Sequence, residues 1–352
     1  FWFLAQQAAP YLEWLYRRQF LMLAIDDAHA LALVLASEEF DLLGVTTCTS
    51  GAEDRAWMVC RFLTSVGRKD VPVAFGREPQ PKSEIDWQIQ YRRHPAVVWN
   101  RTSKPVQEPA EALMFRILKE HHEQGKAKPT ILAIGPLTNV ALLLEKHPES
   151  KAWIDRIVFM GGALAIGYGG KPPAVAEWNI KSDIPAAKAV FASGVPLFVA
   201  PLDAAQGAQL TDAQQAKLFA AHTSITWELQ SLSQLDESDE SPWLFDPVAV
   251  RLALDPKFCT TKDLCLHVTD DGITRAVKGE ANATVATKLD AAEFINWYID
   301  RVTSSGEPVL PRPPANLSKL VERRGLARVV HAFEGYDNDI EKRCWMTGKR
   351  ET

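Results

Sequence analysis

The sequence predicts an α/β fold, an open and mostly parallel sheet with helices on both faces. Short branched apolar runs ending in Gly, Thr or Asp mark the strands. Segments of good helix formers alternate with them, as parallel crossovers require. The strand candidates are Phe40–Thr47, Thr130–Ile134, Arg156–Met160 and Val195–Ala200. The helices between them are Asp27–Ser37, Leu137–Lys146 and Ile184–Ser193. The last has Pro185 at its start and Gly194 just past its end, the usual asymmetry of helix termini. In such a fold ligands bind beyond the carboxyl ends of the strands, so the polar residues in those turns are the ones to question.

At 352 residues the chain has room for one large domain or two ordinary ones, and 47% hydrophobic with 24% charged residues is the composition of a globular protein. A net charge of −5 argues against nucleic acid and anionic membrane as partners. The five cysteines, Cys48, Cys60, Cys259, Cys265 and Cys344, are odd in number and lack metal-ligand spacing. They indicate neither a disulfide framework nor a zinc site, and are read as reduced thiols in a cytoplasmic protein.

Residues 1–24 form an atypical segment, aromatic-rich but interrupted by Gln, Pro, Glu and the Arg17-Arg18 pair. It fits neither a membrane span nor a signal peptide. The main domain is read as 25–307. Gln230–Pro242 is an acidic, Ser-rich solvated loop, Pro308–Pro314 an extended linker, and 308–352 as a whole linker and tail.

Four segments could carry chemistry. Asp26-Asp27 follows the apolar run FLMLAI and opens a helix. Two acids there are a candidate cation site, or a cap and a dipole partner. Ile134-Gly135-Pro136-Leu137-Thr138-Asn139 turns a strand into a helix and can aim a backbone carbonyl at a hard cation, or be an ordinary turn. Phe159-Met160-Gly161-Gly162-Ala163 opens a Gly-rich loop that matches no phosphate-binding fingerprint, Pro172 standing where a mononucleotide loop needs a hydroxyl. That loop leads to Ala176-Glu177-Trp178-Asn179-Ile180, whose Glu177 and Asn179 suit recognition of sugar hydroxyls, or lie on the surface. In Trp243-Leu244-Phe245-Asp246-Pro247, Asp246 reads as a helix cap with Pro247 at the first helical position, which leaves the aromatics before it unexplained.

Elsewhere the bland reading prevails. His29 is taken as a packed helix residue, His121-His122 as a solvated helix end, and Asn100-Arg101-Thr102 as a chance acceptor triplet. Trp87, Tyr91 and Trp99 are read as a structured insertion.

In their order along the chain, IDDAHALAL with LLGVTT, ILAIGPLTNVALLL, RIVFMGGA, AEWNIKSDIPAAKAVFASGVPLFVAPLD and LFDPVAV resemble the inosine-uridine preferring nucleoside hydrolase family from about Ile25 to Val302. The resemblance implies hydrolysis of the N-glycosidic bond of ribonucleosides to ribose and free base. It also implies a calcium ion at the carboxyl edge of the sheet and a dimeric or tetrameric assembly. Asp26 resembles the general base. Asp27, Asp246 and the backbone carbonyl of Thr138 resemble calcium ligands. Glu177 and Asn179 resemble ribose binders, with Met160 and Trp178 lining the sugar pocket and Phe245 beside the base.

The chain also departs from the family pattern. Phe20-Leu21-Met22-Leu23-Ala24 stands where the family has aspartates before the Asp pair. Cys48 to Gly51 replace an Asn after the VTT strand, Lys171 stands near where an Asn is expected, and Phe245 replaces a His that serves as acid for the leaving base. Either the first-strand acids are lost, giving a weakened enzyme or a nucleoside or ribose binder, or the chain does not begin at the family's natural start. A nicotinamide-dependent dehydrogenase fits the sheet but lacks the glycine fingerprint.

Overall fold

A computed structural model describes residues 25–49, 51–77, 103–234 and 241–305, all within one compact unit. Residues 1–24, the 308–352 tail and the Trp87, Tyr91 and Trp99 insertion lie outside them, as does the Asn100 triplet. Eight strands are described: β1 (Val45–Thr47), β2 (Val73–Phe75), β3 (Ile131–Ala133), β4 (Ile157–Met160), β5 (Leu197–Ala200), β6 (Thr260–Val268), β7 (Thr274–Val277) and β8 (Ala283–Lys288). The pair β1-β2 is parallel, and the six-stranded sheet runs β3-β4-β5-β8-β6-β7. The four strands β3, β4, β5 and β8 are mutually parallel, whereas β6 runs antiparallel to both β8 and β7.

Strand periodicity explains the layering. Ile157 and Phe159 pair in register with Leu197 and Val199, and all four side chains enter one core with Val285. Their alternates Val158, Met160, Ala200 and Ala286 enter a second core. The first core is closed by the helices Ala110–Glu123, Thr138–Lys146 and Ile184–Phe191. The second is closed by the helix over residues 25–35 and by Ala52–Ser65, Ser224–Ser233, Phe245–Leu254 and Ala291–Thr303. Helices therefore cover both faces, as the sequence predicts. No helix among the described residues is long and apolar enough to cross a membrane.

Two readings change. The expected strand Phe40–Thr47 contracts to Val45–Thr47, because the Phe40 N–H closes a turn onto the Ser37 carbonyl at 3.1 Å. The β6-β7 hairpin was not foreseen, although Asp270-Asp271-Gly272 carries its signal. Gly272 takes the left-handed conformation at φ 81°, and the Thr269 and Ile273 backbones pair across the turn at 2.9 Å.

One ion pair fixes how the helices Ala52–Ser65 and Ser224–Ser233 pack. Arg61 Nη2 donates to Glu228 Oε2 at 3.2 Å, with both side chains buried. Removing one partner from a buried pair strands the other charge, whereas apolar replacement of both is nearly neutral. Arg61→Met is accordingly expected to cost about 3–5 kcal/mol in urea denaturation, and Arg61→Met with Glu228→Leu to recover most of that loss.

Candidate active site

The sequence-predicted residues converge where the parallel strands end. Asn179 is 1% exposed, and its Nδ2 donates to the carbonyls of Ile134 at 3.2 Å and Met160 at 3.1 Å, bridging the ends of β3 and β4. Asn139, in the first turn of the helix Thr138–Lys146, donates to the Thr47 carbonyl at 3.1 Å and so ties in the end of β1. The packing is close: a Cβ added at Gly76 would lie 1.9 Å from Asn139 Oδ1, so any side chain there would displace the Asn139 amide. Thr138 begins its helix as expected and donates its hydroxyl to Asp183 Oδ2 at 2.6 Å. Asp183 also caps the helix Ile184–Phe191 by accepting from the Ala186 N–H.

Gly162, just after β4, helps to grip a carboxylate of the protein's own. Glu177 is 1% exposed and accepts from the N–H groups of Gly162 at 2.9 Å, Asn179 at 2.9 Å and Ile180 at 3.2 Å. Gly162 reaches it from the left-handed region at φ 84°. Burial still raises the Glu177 pKa, against the hydrogen bonds that favour its ionised form. Tyr168, which sequence reasoning missed, accepts from the Trp178 N–H at 2.8 Å and donates to Glu177 Oε1 at 3.5 Å. A tyrosine in a Gly-rich loop was the only signal for it.

Asp26 reaches this locus from the 25–35 helix. It is 3% exposed, and its Oδ2 accepts from the Asp246 N–H at 3.1 Å, across 220 residues of sequence. The cap role expected of Asp246 is thereby corrected. The helix Phe245–Leu254 starts two residues earlier than the Asp-Pro signal suggests, with Leu244 as N-cap and no side-chain cap bond. Its free N–H groups at Phe245 and Asp246 are met by Asp26 instead. The Asp246 side chain is released to bond the Asp27 carboxyl.

Burial raises all three aspartates. Asp26 and Asp246 lie well above the usual carboxylate range, Asp246 being lifted further by the charges of Asp26, Asp27 and Glu177. Asp27 rises to about 6, burial being opposed by the Arg55 guanidinium and the Asp246 hydrogen bond. Behind Asp26, His29 Nδ1 meets the Tyr298 hydroxyl at 2.6 Å in the core, and burial pushes the imidazole down to about 3. The reading of His29 as a packed residue agrees with this.

Four oxygens here, Asp26 Oδ1, Asp246 Oδ2, Asn179 Oδ1 and, on the β1 side, Asn139 Oδ1, are buried without a hydrogen-bond partner. Such groups are costly unless a ligand meets them. The donors are hard oxygens, the set a calcium ion prefers. No cage of three or more His, Cys, Asp or Glu side chains stands among the described residues. Asp27, Asp246 and a backbone carbonyl would bring only two carboxyls. The match to calcium is therefore one of donor type alone, hard oxygens without a closed cage among the described residues.

A ring of aromatics flanks the carboxyls. Phe245 is buried, stacked on Trp243 with centroids 5.2 Å apart and edge-on to Tyr168 at 6.4 Å. Met160 is buried with its sulfur 3.4 Å from Asn179 Nδ2, and Trp178 is half-buried beside Tyr168. Lys171 is exposed.

A family model described as inosine-uridine preferring nucleoside hydrolase matches residues 23–296. The chain belongs to that family. It is 30% identical over 297 residues to the pyrimidine-specific ribonucleoside hydrolase RihA of Escherichia coli O139:H28, covering 79% of this chain and 94% of the relative. Among solved structures it resembles a purine-preferring ribonucleoside hydrolase from Gardnerella vaginalis, with TM-score 0.69, 24% identity and coverage of 80% and 96% of the two chains. A plant nucleoside hydrolase, PpNRh1, gives TM-score 0.70 at 22% identity, covering 81% of this chain and 97% of its own. These two likenesses show the shared fold.

Glu177 holds three backbone donors that no other group meets in its place. Glu177→Ala is expected to lose at least about 3 kcal/mol of stability, at about 1–3 kcal/mol for each stranded buried donor, and Glu177→Gln clearly less, as read by thermal unfolding.

Proposed function

We propose that this protein hydrolyses the N-glycosidic bond of ribonucleosides to ribose and free base, with the site in a domain spanning 25–307. The observation that carries the reading is the set of unpartnered buried oxygens on Asp26, Asp246 and Asn179, set beside Glu177 at the carboxyl edge of a nucleoside hydrolase sheet. Sugar hydroxyls, a water and a hard cation are the species that satisfy such oxygens.

In this reading Glu177 and Asn179 hold the ribose. Glu177 is locked by three N–H groups, and Asn179 is fixed through its amide nitrogen, which leaves its oxygen for a sugar hydroxyl. Met160 and Trp178 bound the sugar on its apolar side. Asp26 is oriented by the helix Phe245–Leu254 through Oδ2, leaving Oδ1 to take the proton of the attacking water. Asp27, Asp246 and the Thr138 carbonyl would hold calcium, which when bound offsets the buried carboxylate charge and supplies Lewis-acid polarisation to oxygens at the site. Phe245 offers its ring to the base. The transition state is an oxocarbenium-like sugar, and the surrounding carboxylates stabilise its developing positive charge. We place the reaction in the cytoplasm and expect a homo-oligomer.

The test is chromatographic detection of free base from inosine, uridine, adenosine, guanosine and cytidine, with calcium or a chelator. Base release that the chelator abolishes and calcium restores is the expected result. Saturable ribose binding without turnover would instead identify a binding homologue. Asp26→Asn is expected to lower kcat by about 10²–10⁴-fold, the usual share of a general base. Its thermal unfolding should stay cooperative, because the amide oxygen can still accept from the Asp246 N–H.

A further inference from the structure

We infer that the preferred substrates are N-ribosylpyridinium nucleosides, whose base carries a fixed positive charge. The inference rests on the ribonucleoside hydrolase reading and concerns how the base leaves. A neutral purine or pyrimidine departs with the electron pair of the glycosidic bond and becomes an anion unless an acid protonates it. A pyridinium ring needs no acid. Water attacks C1′ and the new C–O bond forms as the C1′–N bond breaks. The electron pair of the broken bond neutralises the ring nitrogen, the water's proton passes to the Asp26 carboxylate and on to solvent, and a neutral pyridine departs.

The groups that face Phe245 match that leaving group. Among the described residues they include the Trp243 ring, nearly parallel to it at 10°, and the Tyr168 ring. Trp243 and Tyr168 are half-buried, so each keeps part of its surface open. The Tyr168 hydroxyl is committed to Glu177 and to the Trp178 N–H, so it has no proton directed at a base. The Tyr168 ring therefore spans from the ribose-binding carboxylate to Phe245, which puts the aromatic wall beside the sugar site. Aromatic faces attract organic cations through their quadrupole. A wall of this kind offers a neutral base stacking but no proton, whereas it offers a pyridinium both attraction and a route out.

The experiment measures kcat/KM of the full chain, with calcium, for N-ribosylnicotinamide, inosine and uridine by chromatography of the released base. A preference of at least tenfold for N-ribosylnicotinamide is expected. Trp243→Leu and Phe245→Leu should each raise its KM several-fold. Trp243→Leu should leave turnover of 4-nitrophenyl riboside, whose uncharged aglycone departs as the resonance-stabilised 4-nitrophenolate anion without needing an acid, far less affected. Should Phe245→Leu fail to fold, the half-buried Trp243→Leu carries the comparison. Inosine or uridine cleaved as fast as the pyridinium riboside would overturn the inference and leave the hydrolase reading standing. Release from none of the substrates would overturn both.

Discussion

The site depends on one hydrogen bond, from the Asp246 N–H to the Asp26 carboxylate at 3.1 Å. It fastens the 25–35 helix to the start of Phe245–Leu254, places a carboxylate at the positive end of a helix dipole, and meets backbone donors that have no other cap. The arrangement of this helix's first turn follows from it. With Asp26 serving as cap, the Asp246 side chain is free to meet Asp27, and Phe245 is carried to the aromatic cluster by the same turn. Loss of Asp26 would therefore disturb both the candidate base and the alignment of the helix that presents Asp246.

A second constraint comes from crowding acids together. Asp26, Asp27, Asp246 and Glu177 are near enough to feel one another's charge, and burial opposes ionisation of each. The fold answers with backbone donors: three N–H groups hold Glu177, and helix N–H groups hold Asp26. These donors are fixed by secondary structure and do not reorganise during a reaction, which is the arrangement that stabilises charge most effectively in a dry site. Arg55 contributes a positive charge towards Asp27.

The fold was legible where physics is local. Branched runs such as Arg156–Met160 and Val195–Ala200 are buried on both faces, so they read as strands from composition alone, and Pro185 with Gly194 marked a helix at both ends. The hairpin of β6 and β7 was missed because its strands are largely exposed and lie in a charged stretch without clean alternation, which resembles loop as much as strand. At the site, the residue types that carry chemistry could be read from order along the chain. Their partners could not, since the bonds joining Asp26 to Asp246 and Asn179 to Ile134 span 220 and 45 residues. The misreading of Asp246 as a cap has the same origin. Asp before Pro is a sound local signal, and a carboxylate from a distant helix overrode it.

The unpartnered oxygens place stability and function in opposition. A fold optimised for stability alone would give Asp26 Oδ1, Asp246 Oδ2 and Asn179 Oδ1 partners within the protein, since each unmet buried acceptor costs about 1–3 kcal/mol. The surrounding structure instead spends its hydrogen bonds on the atoms that orient these groups: the amide nitrogen of Asn179, the other oxygen of Asp26, both oxygens of Glu177. Orientation is thus fixed on one side of every group and acceptor capacity is left open on the other. A cation and sugar hydroxyls arriving at that open side regain what folding left unsatisfied, so the interactions that weaken the free protein are the ones that bind its ligand. On the aromatic side the described residues offer mainly ring surface, from Phe245 and Trp243, and the Tyr168 hydroxyl is already engaged. The asymmetry divides the work of the site, with polar recognition for the sugar and a face for the base.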